Sequence, residues 1–161
     1  MSSRRRKGRS HVLRIIREVL SFEPKGNKTN IRSALEYFNH AIKKKSIAFL
    51  LSDFIDDNYE KILKIVGRKH DLIGLILRDP REEKIPKAGL IKMQDAETGK
   101  IRYIDSSSKT VREHFEQTIK QRDDYRRSLF STSGLDSIEI NAGESYVTPL
   151  VKFFKMREKR W

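Results

Sequence analysis

Apolar residues along this chain fall into two kinds of run, and their alternation predicts the element order. From Val12 they recur at helical spacing, with Leu13, Ile16, Val19 and Leu20 on one stripe and Arg14, Arg17 and Glu18 on the other side. Ser10 is placed to cap this helix, and Pro24 and Gly26 to end it. A second amphipathic helix starts near Asn30 and carries Ile31, Ala34, Leu35, Phe38 and Ile42 on one face. Lys43, Lys44 and Lys45 follow it, where cations suit the negative end of the helix dipole.

Ser46–Ser52 is the other kind of run. It is short, apolar at successive positions and bounded by polar residues, as buried parallel strands are. Tyr59, Ile62, Ile65 and Val66 predict a third helix, and Asp71–Arg78 a second strand of the same continuous type. Strand, helix, strand implies a right-handed parallel crossover. Leu90–Met93 and Ile101–Ile104 predict a hairpin around Glu97-Thr98-Gly99. A long polar helix follows, with Thr110 and Glu113 at capping-box spacing, Val111, Phe115, Ile119 and Leu129 turned inward, and Gly134 at its end. Ser137–Ile140 predicts a short third strand. A last helix over Tyr146–Met156 carries Val147, Leu150, Val151 and Phe154 on one side and Pro149 in its first turn.

The fold class is therefore α/β: a partial doubly wound, mostly parallel sheet of three main strands, a small hairpin, and helices on both faces. Residues 10–158 are read as one domain behind a basic tail, residues 1–9. Nothing upstream predicts a partner for the apolar strand Ile47–Leu51. An unpaired apolar edge is a liability, so this strand is expected to be the exposed inner edge of a sheet with a missing part.

Composition narrows the function. The chain has 161 residues, 37% hydrophobic and 35% charged, so a core is possible only because the apolar residues are clustered. It has no cysteine, which excludes disulfides and thiolate metal sites. No apolar run reaches the roughly 20 residues of a membrane-spanning helix, and the expected location is cytoplasmic. The formal charge of +13 is concentrated at the ends, in Arg4, Arg5, Arg6, Lys7 and Arg9 and in Lys155, Arg157, Lys159 and Arg160. Such ends can bind nucleic acid by counterion release, or can be solvated tails. Phe153, Phe154 and Trp161 interleave with Lys152, Lys155 and Arg157. At helical spacing this reads as a core stripe with a basic outer face rather than a stacking platform.

Candidate chemistry is sparse. In SIAFLLSDFIDD an apolar strand ends at Asp53, where ligands of open α/β sheets bind. Asp53 can hold a hard cation, or it can join Asp56 and Asp57 in capping the next helix. Thr29, in PKGNKTNI, is either the cap of the second helix or an oxygen donor near a bound ion. Asp79 with Glu82, Glu83 and Lys84 has a superficial nuclease-like order, but Pro80 and Pro86 make the segment a loop. His11, His40, His70 and His114 have no metal spacing, and no nucleophile elbow, P-loop or dinucleotide fingerprint occurs. An enzyme is not expected.

The runs GRSHVLRIIREVLSFEPKGNKTNI, SIAFLLSDFIDD, HDLIGLILRDPREEKIPKAGLIKMQDAETGK and YVTPLVKFFKMREKRW together resemble the C-terminal half of the bacterial domain-of-unknown-function 58 family. The resemblance covers nearly the whole chain and implies a von Willebrand factor A-like domain with a metal-ion-dependent adhesion site. In such a site an Asp-x-Ser-x-Ser motif on the first strand is joined by a threonine and an aspartate from later loops. By resemblance those two are Thr29 and Asp53. The motif itself is lacking; the nearest string, Asp105-Ser106-Ser107-Ser108-Lys109, has a lysine for its last serine and follows the hairpin. Mg²⁺ is thus possible only at an incomplete site, and weak or no metal binding is expected of this chain alone. The function implied is non-enzymatic protein–protein interaction, with a MoxR-type AAA+ ATPase as the partner the resemblance brings. The rival reading is a basic nucleic-acid-binding protein that uses its charged ends.

Overall fold

The structure is a computed structural model, and it describes residues 8–23, 29–94 and 99–159. In chain order the helices and strands are α1 (Arg9–Leu20), α2 (Ile31–Ala41), β1 (Ile47–Ser52), α3 (Glu60–Lys69), β2 (Asp71–Arg78), β3 (Leu90–Gln94), β4 (Ile101–Asp105), α4 (Lys109–Thr132), β5 (Asp136–Asn141) and α5 (Val147–Glu158), with a 3-10 turn over Pro80–Glu82. β1, β2 and β5 form a parallel sheet in the order β1-β2-β5, and β3 and β4 form a separate antiparallel hairpin. The expected α/β architecture, its parallel sheet and its hairpin are thus observed. The turn expected at 97–99 lies largely outside the described residues, as does the Pro24–Gly26 end of the first helix.

Side-chain alternation along the strands divides the core in two. On one face Ala48, Leu50, Leu72 and Ile76 meet Ile31 and Leu35 of α2, Leu63 and Val66 of α3, and Leu129 and Phe130 of α4. On the other face Ile73, Leu75 and Ile138 meet Leu150 and Phe153 of α5. Only the central strand is covered on both sides, with Leu72–Ile76 all buried. β1 departs from the expected doubly buried strand: Ile47, Phe49 and Leu51 are exposed, because α5 reaches only β2 and β5. Phe154 alone leans toward β1, edge-on to Phe49 at 6.3 Å.

Several local expectations are corrected. Ser10 lies inside α1; Gly8 precedes the helix and supplies no side-chain cap. No α1 residue is buried, although its stripe is apolar. In α3 Val66 is buried as expected, but its inward partner is Leu63, and Ile65 faces solvent. α4 is capped by Ser108, whose hydroxyl accepts from the Val111 amide, not by a Thr110–Glu113 box. Its C-terminus closes as expected at Gly134, with φ +65. The Leu135 amide donates to the Phe130 carbonyl and the Gly134 amide to that of Ser131, a Schellman arrangement that packs Leu135 onto the core.

Candidate functional site

The carboxyl ends of β1 and β2 open into a cleft of about 390 Å³, closed at the side by the middle of α4. Three segments build it: the loop after β1, the end of β2 with the far end of the 3-10 turn that follows, and α4 from Ile119 to Arg126. Loops after parallel strands converge at this end of a sheet, so binding groups collect there.

The loop after β1 holds its shape through its own polar atoms. The Ser52 hydroxyl accepts from the Phe54 amide at 3.0 Å, and an Asp53 carboxylate oxygen accepts from the Ile55 amide at 3.0 Å. These turns fix Phe54 at φ +60, which sends its ring into the core against Phe130, 5.2 Å away and edge-on. Asp53 itself stays exposed at the cleft.

Asp56 does not cap α3. One of its oxygens accepts from the Ile31 amide at 2.7 Å, at the first turn of α2. A carboxylate there satisfies an orphan donor and sits at the positive end of the helix dipole. The contact draws the segment holding Thr29 to the loop holding Asp53, so the two residues singled out by resemblance share one end of the sheet. The α2 cap is Asn30, whose side chain accepts from the Ser33 amide at 2.8 Å; Thr29 is one residue outside it and exposed.

Beneath these loops lies an ion-pair network that the sequence did not reveal. Asp123 bridges Arg78, at 2.5 Å, and Arg126, at 2.8 Å. Arg78 also meets Glu83 at 2.8 Å and Glu139 at 3.3 Å, and Arg126 donates to the Asp53 carbonyl at 3.3 Å. The network ties the ends of β1, β2 and β5 to α4. Arg126 is buried, and its Nε has no hydrogen-bond partner. In sequence these residues belong to a polar helix and a strand end, a pattern that solvated charges also produce. Nearby, burial pushes the Tyr59 hydroxyl up to about 12.

The remaining candidates separate from the cleft chemistry or are spent on structure. Asp79 is locked to Arg81, whose side-chain hydrogen bonds bring its carboxyl down to about 2. Glu83 pairs with Arg78, so the nuclease-like order does not assemble. In the Asp105–Lys109 string, Asp105 accepts from Ser107, Ser106 is fully buried and donates to the Gly89 carbonyl, and Ser108 caps α4. His70 is buried against Phe38, with neither ring nitrogen bonded. Phe153 is core and carries Arg157 over its ring, while Trp161 lies outside the described residues. Among the described residues no three His, Asp or Glu side chains converge as a metal site, and no helix is long and apolar enough to cross a membrane.

Comparison with known proteins places this arrangement. Residues 4–125 match the family described as Protein of unknown function DUF58. The chain belongs to this family. Among its relatives, an uncharacterized protein of Mycobacterium avium is 22% identical over 157 residues, covering 96% of this chain and 92% of its own length. Uncharacterized proteins of Mycobacterium tuberculosis and Mycobacterium bovis are each 23% identical over 158 residues, covering 96% of this chain but 49% of theirs. The DUF58 chain thus spans about half the length of the latter two. No solved structure matches.

Proposed function

We propose that this chain is a non-enzymatic protein-binding module, and that its binding site is the cleft at the carboxyl ends of β1 and β2. The carrying observation is the bond from the Ile31 amide to Asp56, which brings the Thr29 segment and the Asp53 loop together. The resemblance to von Willebrand factor A-like domains supports the reading, because the loops that carry the matching threonine and aspartate border the partner-binding end of the sheet in those domains. Exposed Ile55 and Leu77 give the cleft apolar contact area beside Asp53, Asp57 and Glu82. Apolar groups beside a few polar ones suit a protein partner.

The donor set does not fit a resident Mg²⁺ in this chain alone. Thr29 and Asp53 provide at most two side-chain donors, and one Asp53 oxygen already accepts from the Ile55 amide. Mg²⁺ keeps its water shell unless more hard ligands compete. An ion here needs donors beyond these two residues.

The partner that the resemblance favours is a MoxR-type AAA+ ATPase. The test is binding of such an ATPase, from the same cells, to the immobilised full chain at physiological salt. Saturable binding weakened about tenfold or more by Asp53→Ala is expected, as for a residue central to an interface. Absence of binding, or equal binding by the variant, overturns the reading. Affinity for single-stranded oligonucleotides that falls steeply with salt and disappears without residues 1–9 would instead favour nucleic-acid binding.

A further inference from the structure

The cleft at the carboxyl ends of β1 and β2 is the acidic part of a basic protein. Seven carboxylates and three guanidinium groups line it, in a chain whose formal charge is +13. Most of these charges are already tied within the chain. Arg81 holds Asp79, Arg78 holds Glu83, Arg78 and Arg126 share Asp123, and the Ile31 amide bonds Asp56. Among the described residues the Asp57 and Glu82 carboxylates have no such tie, and neither has Arg122.

A second observation, independent of the charge, is the Tyr59 hydroxyl. Tyr59 is 1% exposed and lines the cleft, within electrostatic reach of Asp56, Tyr125 and Arg126. Among the described residues nothing hydrogen-bonds this hydroxyl. A buried polar group without a partner destabilises the fold until something completes it. We propose that the partner inserts an arginine side chain here, its guanidinium received among Asp57, Glu82 and the Tyr59 hydroxyl. The inference rests on the reading of the cleft as a protein-binding site, and names the chemistry of what enters it.

The shape of the donor set selects the cation. A metal ion or an ammonium group is a point charge, and is held by oxygens that converge on a point. Among the described residues no three carboxylates do so. A guanidinium is planar and spreads five N–H donors over a wider fork, so it suits acceptors that lie apart. Tyr125 lines the same cleft, 56% exposed, and its hydroxyl donates to Glu60 at 2.6 Å. Its ring is thereby held in place as a face on which a guanidinium stacks. An acidic side chain of a partner would be repelled by the same carboxylates.

Amide chemical shifts of the isotope-labelled full chain, titrated with N-acetylarginine N-methylamide, test this. Saturable shifts at Asp57, Tyr59 and Glu82 are expected, with an affinity about fivefold above that of the lysine analogue and no saturable response to the glutamate analogue. Asp57→Asn and Glu82→Gln are each expected to weaken the arginine probe about fivefold. Tyr59→Phe keeps the ring and is expected to weaken it about threefold, with a urea midpoint no lower than before, because no bond within the chain is lost. No saturable response, equal response to the arginine and lysine probes, or shifts spread evenly over the acidic residues of the chain overturns the proposal. Binding of the ATPase with no response to the arginine probe overturns this inference and leaves the cleft reading standing. Response to the probe without binding of the ATPase does the opposite.

Discussion

Gly74 is the residue over which the inner face of the sheet closes. A Cβ built there would lie 2.5 Å from Cε1 of Phe130, which is itself pinned by Phe54 and the core. Gly74→Ala is therefore overpacking, and is expected to lower the unfolding free energy by about 1–3 kcal/mol in a urea titration. The signal was present in DLIGLILR, since a glycine inside a strand marks close approach of another group. Apolar periodicity passes over it because glycine has no side chain to count. His70 shows a different limit. Its sequence neighbours are Lys69 and Asp71, which predict a surface residue, yet it is buried against Phe38. Burial, with Lys69 adjacent, lowers its pKa. As pH falls through about 6.5, the unfolded chain takes up this proton before the folded one. Stability is then flat in this group above that value and falls below it. The urea midpoint is expected to drop between about pH 7 and pH 5.5, and His70→Leu to lessen that drop.

At the scale of elements, the strands and helices were legible because burial imposes a period on the sequence. β2 reads as a continuous apolar run because helices cover both its faces. The polar ties between elements were not legible. Asp56 was readable as a helix cap, but its helix is α2, which precedes it by 25 residues, rather than the adjacent α3. Removing that bond in Asp56→Ala is expected to cost about 1–2 kcal/mol, the usual range for a lost cap, and to loosen α2 in hydrogen exchange without unfolding α4. Asp123 is more demanding. It pairs with both Arg78 and Arg126, and Asp123→Ala would leave the buried Arg126 guanidinium without its carboxylate while Arg78 keeps Glu83 and Glu139. A loss of about 3 kcal/mol or more is expected, read from the same titration. Charges buried in compensating pairs leave the sequence looking solvated, which hid this part of the site.

At the scale of the molecule, α1 exposes the longest apolar stripe among the described residues, and β1, the hairpin and α5 expose shorter ones. Sequence reading anticipated the edge, because an apolar strand without an upstream partner has no other place in a sheet. It did not anticipate the exposure of α1, whose stripe looks like that of any packed helix. Mg²⁺ titrated calorimetrically into the chain alone is expected to give no saturable heat; a dissociation constant below about a millimolar would contradict the donor count at Thr29 and Asp53. The most direct measurement is hydrogen–deuterium exchange of the chain with and without the MoxR-type ATPase proposed as its partner. Protection concentrated in residues 53–57 and 78–83 is the predicted result. Protection confined to the basic ends, with the loops after β1 and β2 unchanged, would contradict the assignment of the cleft as the binding site.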